Sequence, residues 1–295
     1  VAVPFEPGDI LIASTDVDDS NIDLRRLTGA GRILHFDHDF QLKNTLWTDQ
    51  VGLVVGIGVD PDSGVLYSAD PHNKNIVAFD TEGNRIGAVD GLPERPFGSI
   101  AFDEAGRVLL GVHSARQAPP EDAYGAATLF VWEPKTNKIT GHTPEIDGGR
   151  TGWHCITSMT HDPENSLLYY ASEGGLRVSR YNVSAGEQAT DYVQFHEEDT
   201  ARTYGLGLLA NGDMLMATGN GACRMSPDGK IVQSYDVAIE KGWTRVSLVS
   251  PNADTFYLNN FLEGVLQRRD IQSGEVLAEF DIERKCSLCG VAEVT

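Results

Sequence analysis

Three histidines stand beside short apolar runs of this sequence, His72 and His113 just after one and His154 just before one. Imidazole ligates divalent metals and exchanges a proton near neutral pH, so the set predicts either a metal centre or acid/base chemistry. Three arginines, Arg95, Arg202 and Arg245, occupy comparable places, and a guanidinium grips a carboxylate with two parallel hydrogen bonds. Trp153, Tyr204 and Trp243 interleave with them and offer ring faces to an organic ligand. If these segments converge, they make a pocket for a small anionic or lactone-like molecule. His113 and His154 are then the candidate acid/base groups, and Arg95, Trp153, Arg202, Tyr204, Trp243 and Arg245 the candidate substrate-binding groups. His72, His113 and His154 together could hold one divalent metal ion, zinc or calcium, with Asp70, Asn220 and Asn260 as an oxygen-donor alternative and no cofactor as the other outcome.

Other motifs say less. Cys286-Ser-Leu-Cys289 is a lone C-x-x-C with no second pair to complete a zinc site, which leaves a disulfide, free thiols or lining residues open. Asp16, Asp18 and Asp19 lack the Gly and terminal Glu of a calcium-binding loop and read as a solvated acidic loop. Neither a G-x-S-x-G nucleophile elbow nor a phosphate-binding Walker loop is present, which disfavours serine hydrolases and nucleotide enzymes of those kinds.

Charge narrows the partners. Lys and Arg number 23 against 43 Asp and Glu, a formal net charge of -20, and that field repels nucleic acid and anionic membrane surfaces. With 41% hydrophobic residues the chain carries enough apolar material for a sizeable core, yet no run is long enough to span a bilayer. A soluble protein is expected, secreted or periplasmic ahead of cytoplasmic, with a small-molecule ligand and an oligomeric state the sequence leaves open.

What must position the candidate residues is a repeat. Its clearest copy runs from Gly56 to Asp70: a short apolar strand, a turn built on Asp60-Pro-Asp-Ser-Gly64, then a second strand. Asn75 to Phe79 and Arg85 to Val89 follow as a third and fourth strand about another turn, and four antiparallel strands make one propeller blade. Further copies begin at Ser99, Ser158, Gly205 and Ser247. The sixth is split, with Gly290 to Thr295 as its first strand and Ile10 to Ser14, Gly31 to Phe36 and Gln41 to Thr48 as the other three. A small residue opens every first strand, and successive openings lie 43, 59, 47, 42 and 43 residues apart. First strands crowding about a narrow axis would demand such residues.

The expectation is an all-β, six-bladed β-propeller of four-stranded antiparallel blades, one domain over 1–295, closed by pairing the C-terminal strand with the N-terminal one. Its blades would be 290–295 plus 7–48, then 54–90, 97–146, 154–196, 203–237 and 245–282. The stretch Val59-Asp60-Pro61-Asp62-Ser63-Gly64-Val65-Leu66-Tyr67 resembles the repeat of the NHL, SMP-30/gluconolactonase and YVTN groups of propellers. That resemblance covers nearly the whole chain, and it implies a lactonase, a lyase or a pure binding scaffold. A lyase of the peptidyl-hydroxyglycine type would use a histidine triad. A gluconolactonase would hold calcium with a Glu on an innermost strand, and here only Glu293, out of place, is near one of the opening residues.

In such a ring the loops leading into first strands and leaving second strands share one mouth of the central channel, and all the candidates fall on these loops. Two long insertions, Thr15 to Ala30 and Ser114 to Ala127, belong to the same face. The reading is a small-molecule hydrolase or lyase. Its alternative is a noncatalytic ligand- or peptide-binding propeller.

Overall fold

A computed structural model of the chain describes residues 2–18, 27–113, 120–147, 155–196 and 202–295. Locally, a repeated Asp closes the turn after three of the first strands. The Asp60 carboxylate accepts the Asp62 amide at 2.9 Å and the Ser63 hydroxyl at 2.7 Å, and Gly64 takes a φ of 71°, a conformation glycine adopts without a Cβ clash. Asp103 and Asp162 repeat the cap, accepting the amides of Ala105 and Glu164 at 3.0 Å each. The motif is therefore turn chemistry.

Blade 1 is built from β1 (Ile10–Ser14), the short β2 (Asp16–Val17), β3 (Gly29–Phe36) and β4 (Leu42–Gly52). Blade 2 holds β5 (Gly56–Val59), β6 (Leu66–Asp70), β7 (Asn75–Phe79) and β8 (Arg85–Ala88), and blade 3 holds β9 (Phe97–Phe102), β10 (Val108–Val112), β11 (Leu129–Glu133) and β12 (Lys138–His142). Blade 4 comprises β13 (Ser158–Asp162), β14 (Leu167–Ala171), β15 (Arg177–Asn182) and β16 (Glu187–Gln194). Blade 5 comprises β17 (Gly205–Leu208), β18 (Met214–Ala217), β19 (Ala222–Met225) and β20 (Ile231–Tyr235). Blade 6 comprises β21 (Trp243–Ser247), β22 (Thr255–Asn260), β23 (Val265–Asp270) and β24 (Val276–Asp281). The last strand, β25 (Leu288–Glu293), crosses back to blade 1.

That crossing closes the ring as the sequence predicts. β25 pairs antiparallel with β1, Ile10 opposite Glu293 and Ile12 opposite Val291. The Val294 amide adds a bond to the Asp9 carbonyl at 2.9 Å. Beside the seam the buried Asp9 carboxylate meets His35 Nε2 at 2.6 Å and Lys43 Nζ at 2.8 Å. Innermost strands β5, β9, β13, β17, β21 and β25 neighbour one another in that order, and β25 returns to β5. β1 is thereby paired on both sides, with β25 and β3.

Packing explains the small residues. A Cβ on Gly56 would stand 2.8 Å from the Gly98 carbonyl oxygen, one on Gly205 2.5 Å from Arg245 Cα, and one on Gly290 2.9 Å from the Ile57 nitrogen. Neighbouring first strands thus approach backbone to backbone. Where serine stands instead it stitches blades together: Ser99 Oγ donates to the Ile156 carbonyl at 2.6 Å, and Ser158 Oγ accepts the Leu206 amide at 3.0 Å. Each blade is apolar on both faces, so among the described residues the core divides into six clusters, one between each pair of adjacent blades. The cluster of Ile10, Ile12, Leu34, Tyr257, Leu266 and Ile282 fills the gap between blades 6 and 1. Among the described residues no helix is long and apolar enough to cross a membrane.

Candidate functional site

At the mouth where loops leave the second strands, the ring encloses a cavity of about 530 Å³. His72, His113, Tyr204 and Arg245, four of the residues singled out from the sequence, line it together with Glu173 and Cys289. Each comes from a different place in the chain: His72 follows β6, His113 follows β10, Glu173 follows β14, Tyr204 precedes β17, Arg245 lies in β21 and Cys289 in β25. Arg245 also borders a second cavity of about 470 Å³, which runs along the innermost strands toward the far mouth. It therefore stands at the waist of the channel.

Gly98 organises the centre. A Cβ there would lie 2.6 Å from His113 Cβ and 2.7 Å from His113 Cδ2, so the missing side chain is the space in which the imidazole packs. The Gly98 carbonyl accepts a hydrogen bond from Arg245 Nη2 at 3.2 Å. His113 is fixed further by its own amide, which donates to the Pro96 carbonyl at 2.6 Å. His113 is half-buried and lines the cavity. Burial first, then the charges of Arg245 and His72, bring its pKa down to about 4. It is a neutral imidazole near pH 7.

The surrounding groups are tuned by the same burial. Desolvation raises the pKa of Glu173, against the pull of Arg245. Burial pulls the Arg245 guanidinium down while Cys289 and Glu173 pull it up, and a guanidinium stays charged through such shifts. Cys289 is pushed up to about 12 by burial despite the nearby guanidinium, so it is a thiol and a poor nucleophile. All four cysteines, Cys286 among them, are buried and free of disulfides. Tyr204 is set by a glycine beneath it: a Cβ on Gly219 would stand 2.7 Å from its Cε2.

Other residues expected at the site are placed elsewhere. Arg95 is turned into a bidentate pair with Asp122 at 2.7 and 2.9 Å and anchors the loop after β10. Trp243 is fully buried in the core between blades 5 and 6, its Nε1 donating to the Ile239 carbonyl at 2.7 Å. Arg202 is buried and lies outside the cavity lining. Trp153 and His154 fall outside the described residues, as do parts of both long insertions. The oxygen donors do not gather: the Asp70 carboxylate caps its own turn through the amide of His72 at 2.8 Å and Asn73 Nδ2 at 2.8 Å. Asn260 Oδ1 accepts the Glu263 amide at 3.0 Å, and Asn220 is exposed. Among the described residues no three His, Cys, Asp or Glu side chains are grouped to hold a metal ion. His72 and His113 share the cavity, but these residues alone do not complete a ligand set.

Glu173, Cys289 and Gly98 carry no conspicuous sequence signal. Glu173 is one acid among 43 Asp and Glu, Cys289 sits in an ambiguous pair, and Gly98 precedes a more obvious small residue, Ser99.

No protein-family model matches the sequence, and no curated protein sequence matches it significantly. Solved structures do match. A chain of a nidogen/laminin complex aligns over 98% of this chain and 99% of its own, with 12% identity and a TM-score of 0.67. A protein of unknown function from Bacteroides caccae aligns over 98% and 99%, with 11% identity and a TM-score of 0.66. A catalytically inactive histidine-to-alanine variant of virginiamycin B lyase from Staphylococcus aureus, with quinupristin, aligns over 98% and 91%, with 12% identity and a TM-score of 0.60. The likeness is one of fold. It joins this chain to six-bladed propellers that include a lyase.

Proposed function

We propose that the cavity at the His113 mouth is the active site of a lyase that opens a small ester or lactone by elimination. The observation that carries this reading is the shared hub at Gly98, which sets a neutral imidazole and a charged guanidinium against one enclosed space. His113 takes a proton from a carbon that lies between a second carbonyl, outside the ester, and the carbon bearing the ester oxygen. The C–H electron pair becomes a carbon–carbon double bond as the alkyl C–O bond of the ester breaks, and the ester oxygen leaves in a carboxylate that faces Arg245. The proton on His113 then returns to solvent. Nothing in this sequence of steps needs a covalent nucleophile, in keeping with the un-ionised Cys289. Apolar residues on one side of the cavity, Leu53 and Phe261 among them, disfavour a pool of water and with it hydrolysis.

The resemblance of the Asp60 repeat to propeller groups that include lactonases and lyases supports the same class. Running the reaction in ¹⁸O-water separates the routes. Elimination leaves the product free of solvent oxygen and carrying a new double bond, whereas hydrolysis incorporates one solvent oxygen. His113→Gln should lower kcat by about 100-fold or more, the usual worth of a positioned base. A ligand that binds without turnover in the wild-type chain would instead make this a ligand- or peptide-binding propeller.

A further inference from the structure

Elimination develops charge at two oxygens. One is the ester oxygen, which leaves toward Arg245; the other belongs to the second carbonyl, which becomes an enolate as His113 removes the proton. An oxygen of that kind is stabilised by a hydrogen-bond donor already aimed at it. Among the side-chain donors of the lining, His72 is exposed, and the Thr157 hydroxyl is engaged with Cys155 Sγ at 3.2 Å. Tyr204 is half-buried and held from several sides. Its amide donates to the Ala217 carbonyl at 3.1 Å. The residue before it is bonded to the loop leaving blade 4: the Gly174 amide donates to the Thr203 carbonyl at 2.9 Å, and the Thr203 amide to the Gly175 carbonyl at 3.1 Å. Gly219, with a φ of 84°, leaves the room that the ring fills, and its amide donates to the Trp243 carbonyl of blade 6 at 2.9 Å. A Cβ on Gly174 would touch the hydroxyl, 3.4 Å from Oη. Backbone bonded across blades 4, 5 and 6 therefore fixes both the ring and its hydroxyl.

We infer that Tyr204 is a further catalytic residue: its hydroxyl donates a hydrogen bond to the oxygen of the second carbonyl while His113 takes the proton. The C–H electron pair moves onto that oxygen, then returns to form the double bond as the C–O bond to the carboxylate breaks. The phenolic proton stays on Tyr204 throughout. A donor fixed in place needs no reorganisation when the charge forms. This rests on the lyase reading for the base and the cavity but not for the leaving group, which plays no part in making the enolate. The substrate class narrows to esters of β-hydroxy ketones and related β-hydroxy carbonyl compounds.

Two probes separate the steps on the purified chain. Diacetone alcohol acetate, whose methylene lies between a ketone and the carbon bearing the ester oxygen, reports elimination. Methyl isobutyl ketone, the same skeleton without the ester, reports enolate formation alone, through exchange of its methylene hydrogens for solvent deuterium followed by NMR. Tyr204→Phe should lower kcat for elimination by about 100-fold, the usual worth of one such donor, and slow exchange by a similar factor, with KM little changed. The substitution keeps the ring that Gly219 accommodates, and thermal melts establish that the variant is folded. A ring-fluorinated tyrosine in place of Tyr204, with a more acidic hydroxyl in the same position, should speed exchange. A tyrosine that merely packs would leave it unchanged. Exchange that is absent, or indifferent to Tyr204→Phe, while elimination proceeds overturns the inference and leaves the lyase reading standing. Exchange that depends on Tyr204 without elimination of the acetate does the reverse. Neither exchange nor elimination in the wild-type chain overturns both.

Discussion

His113 shows how much of a residue's chemistry is decided by what surrounds it. An isolated imidazole has a pKa of 6.5, and here it is about 4. Between those values the unfolded chain binds a proton that the folded chain refuses, so the contribution of His113 to stability is full above pH 6.5 and lost as the pH falls toward 4. The whole interval corresponds to roughly 3 kcal/mol. The stability gap between wild type and His113→Gln, measured by denaturant titration, should therefore shift against the wild type as the pH is lowered through this window. A gap independent of pH would contradict the assignment. Arg245 is one named cause of the low value, so Arg245→Met should raise the His113 pKa, read by NMR titration of the imidazole. An unmoved titration would separate the two residues.

At the scale of strands and turns, glycine decides where side chains go. Gly98 belongs to β9 and has no positive φ to explain it; its role is the room it leaves for His113 and the carbonyl it offers to Arg245. Gly98→Ala should leave the blade paired but push the imidazole out of place, lowering kcat by about 10-fold or more with a smaller effect on KM. Kinetics of the purified variant, alongside its circular dichroism, check this. Gly205→Ala acts differently, because its Cβ would strike the Arg245 backbone, which cannot swing aside. Its expected cost is about 1–3 kcal/mol of stability, visible as a lowered Tm.

The same scale explains what the sequence could reveal. Turn chemistry is local, so Asp60, Gly64 and their counterparts announce the blades before any coordinates exist, and small residues at Gly56, Gly205 and Gly290 betray the crowded axis. His72, His113, Tyr204 and Arg245 could be nominated because topology assigns their loops to one mouth. Topology does not say which way a side chain turns within that loop. Arg95 turns to Asp122 and Trp243 into the core, and neither outcome is written in its neighbours. Leu53 and Phe261 escape notice for the opposite reason, since an apolar residue at a loop reads as core until the cavity beside it is seen.

The molecule as a whole exists to bring distant chain segments to one axis. Among the described residues each blade packs on its two neighbours through an apolar cluster, the Arg245–Gly98 hydrogen bond crosses the channel from blade 6 to blade 3, and the last interface depends on β25 joining β1. Removing residues 288–295 should expose the edge of β1 and leave β5 without its neighbour, lowering Tm and promoting association, as light scattering would show. The site depends on the same closure, for His113 stands on blade 3 and Arg245 on blade 6. A double-mutant cycle on kcat/KM for lactone opening, with His113→Gln, Arg245→Met and both together, tests their union most directly. If the two act on one bound molecule, the double variant is little worse than the poorer single variant, a coupling of at least about 1 kcal/mol. Strictly additive losses, or no loss at all, would mean that the ring brings these two side chains together without making them one site.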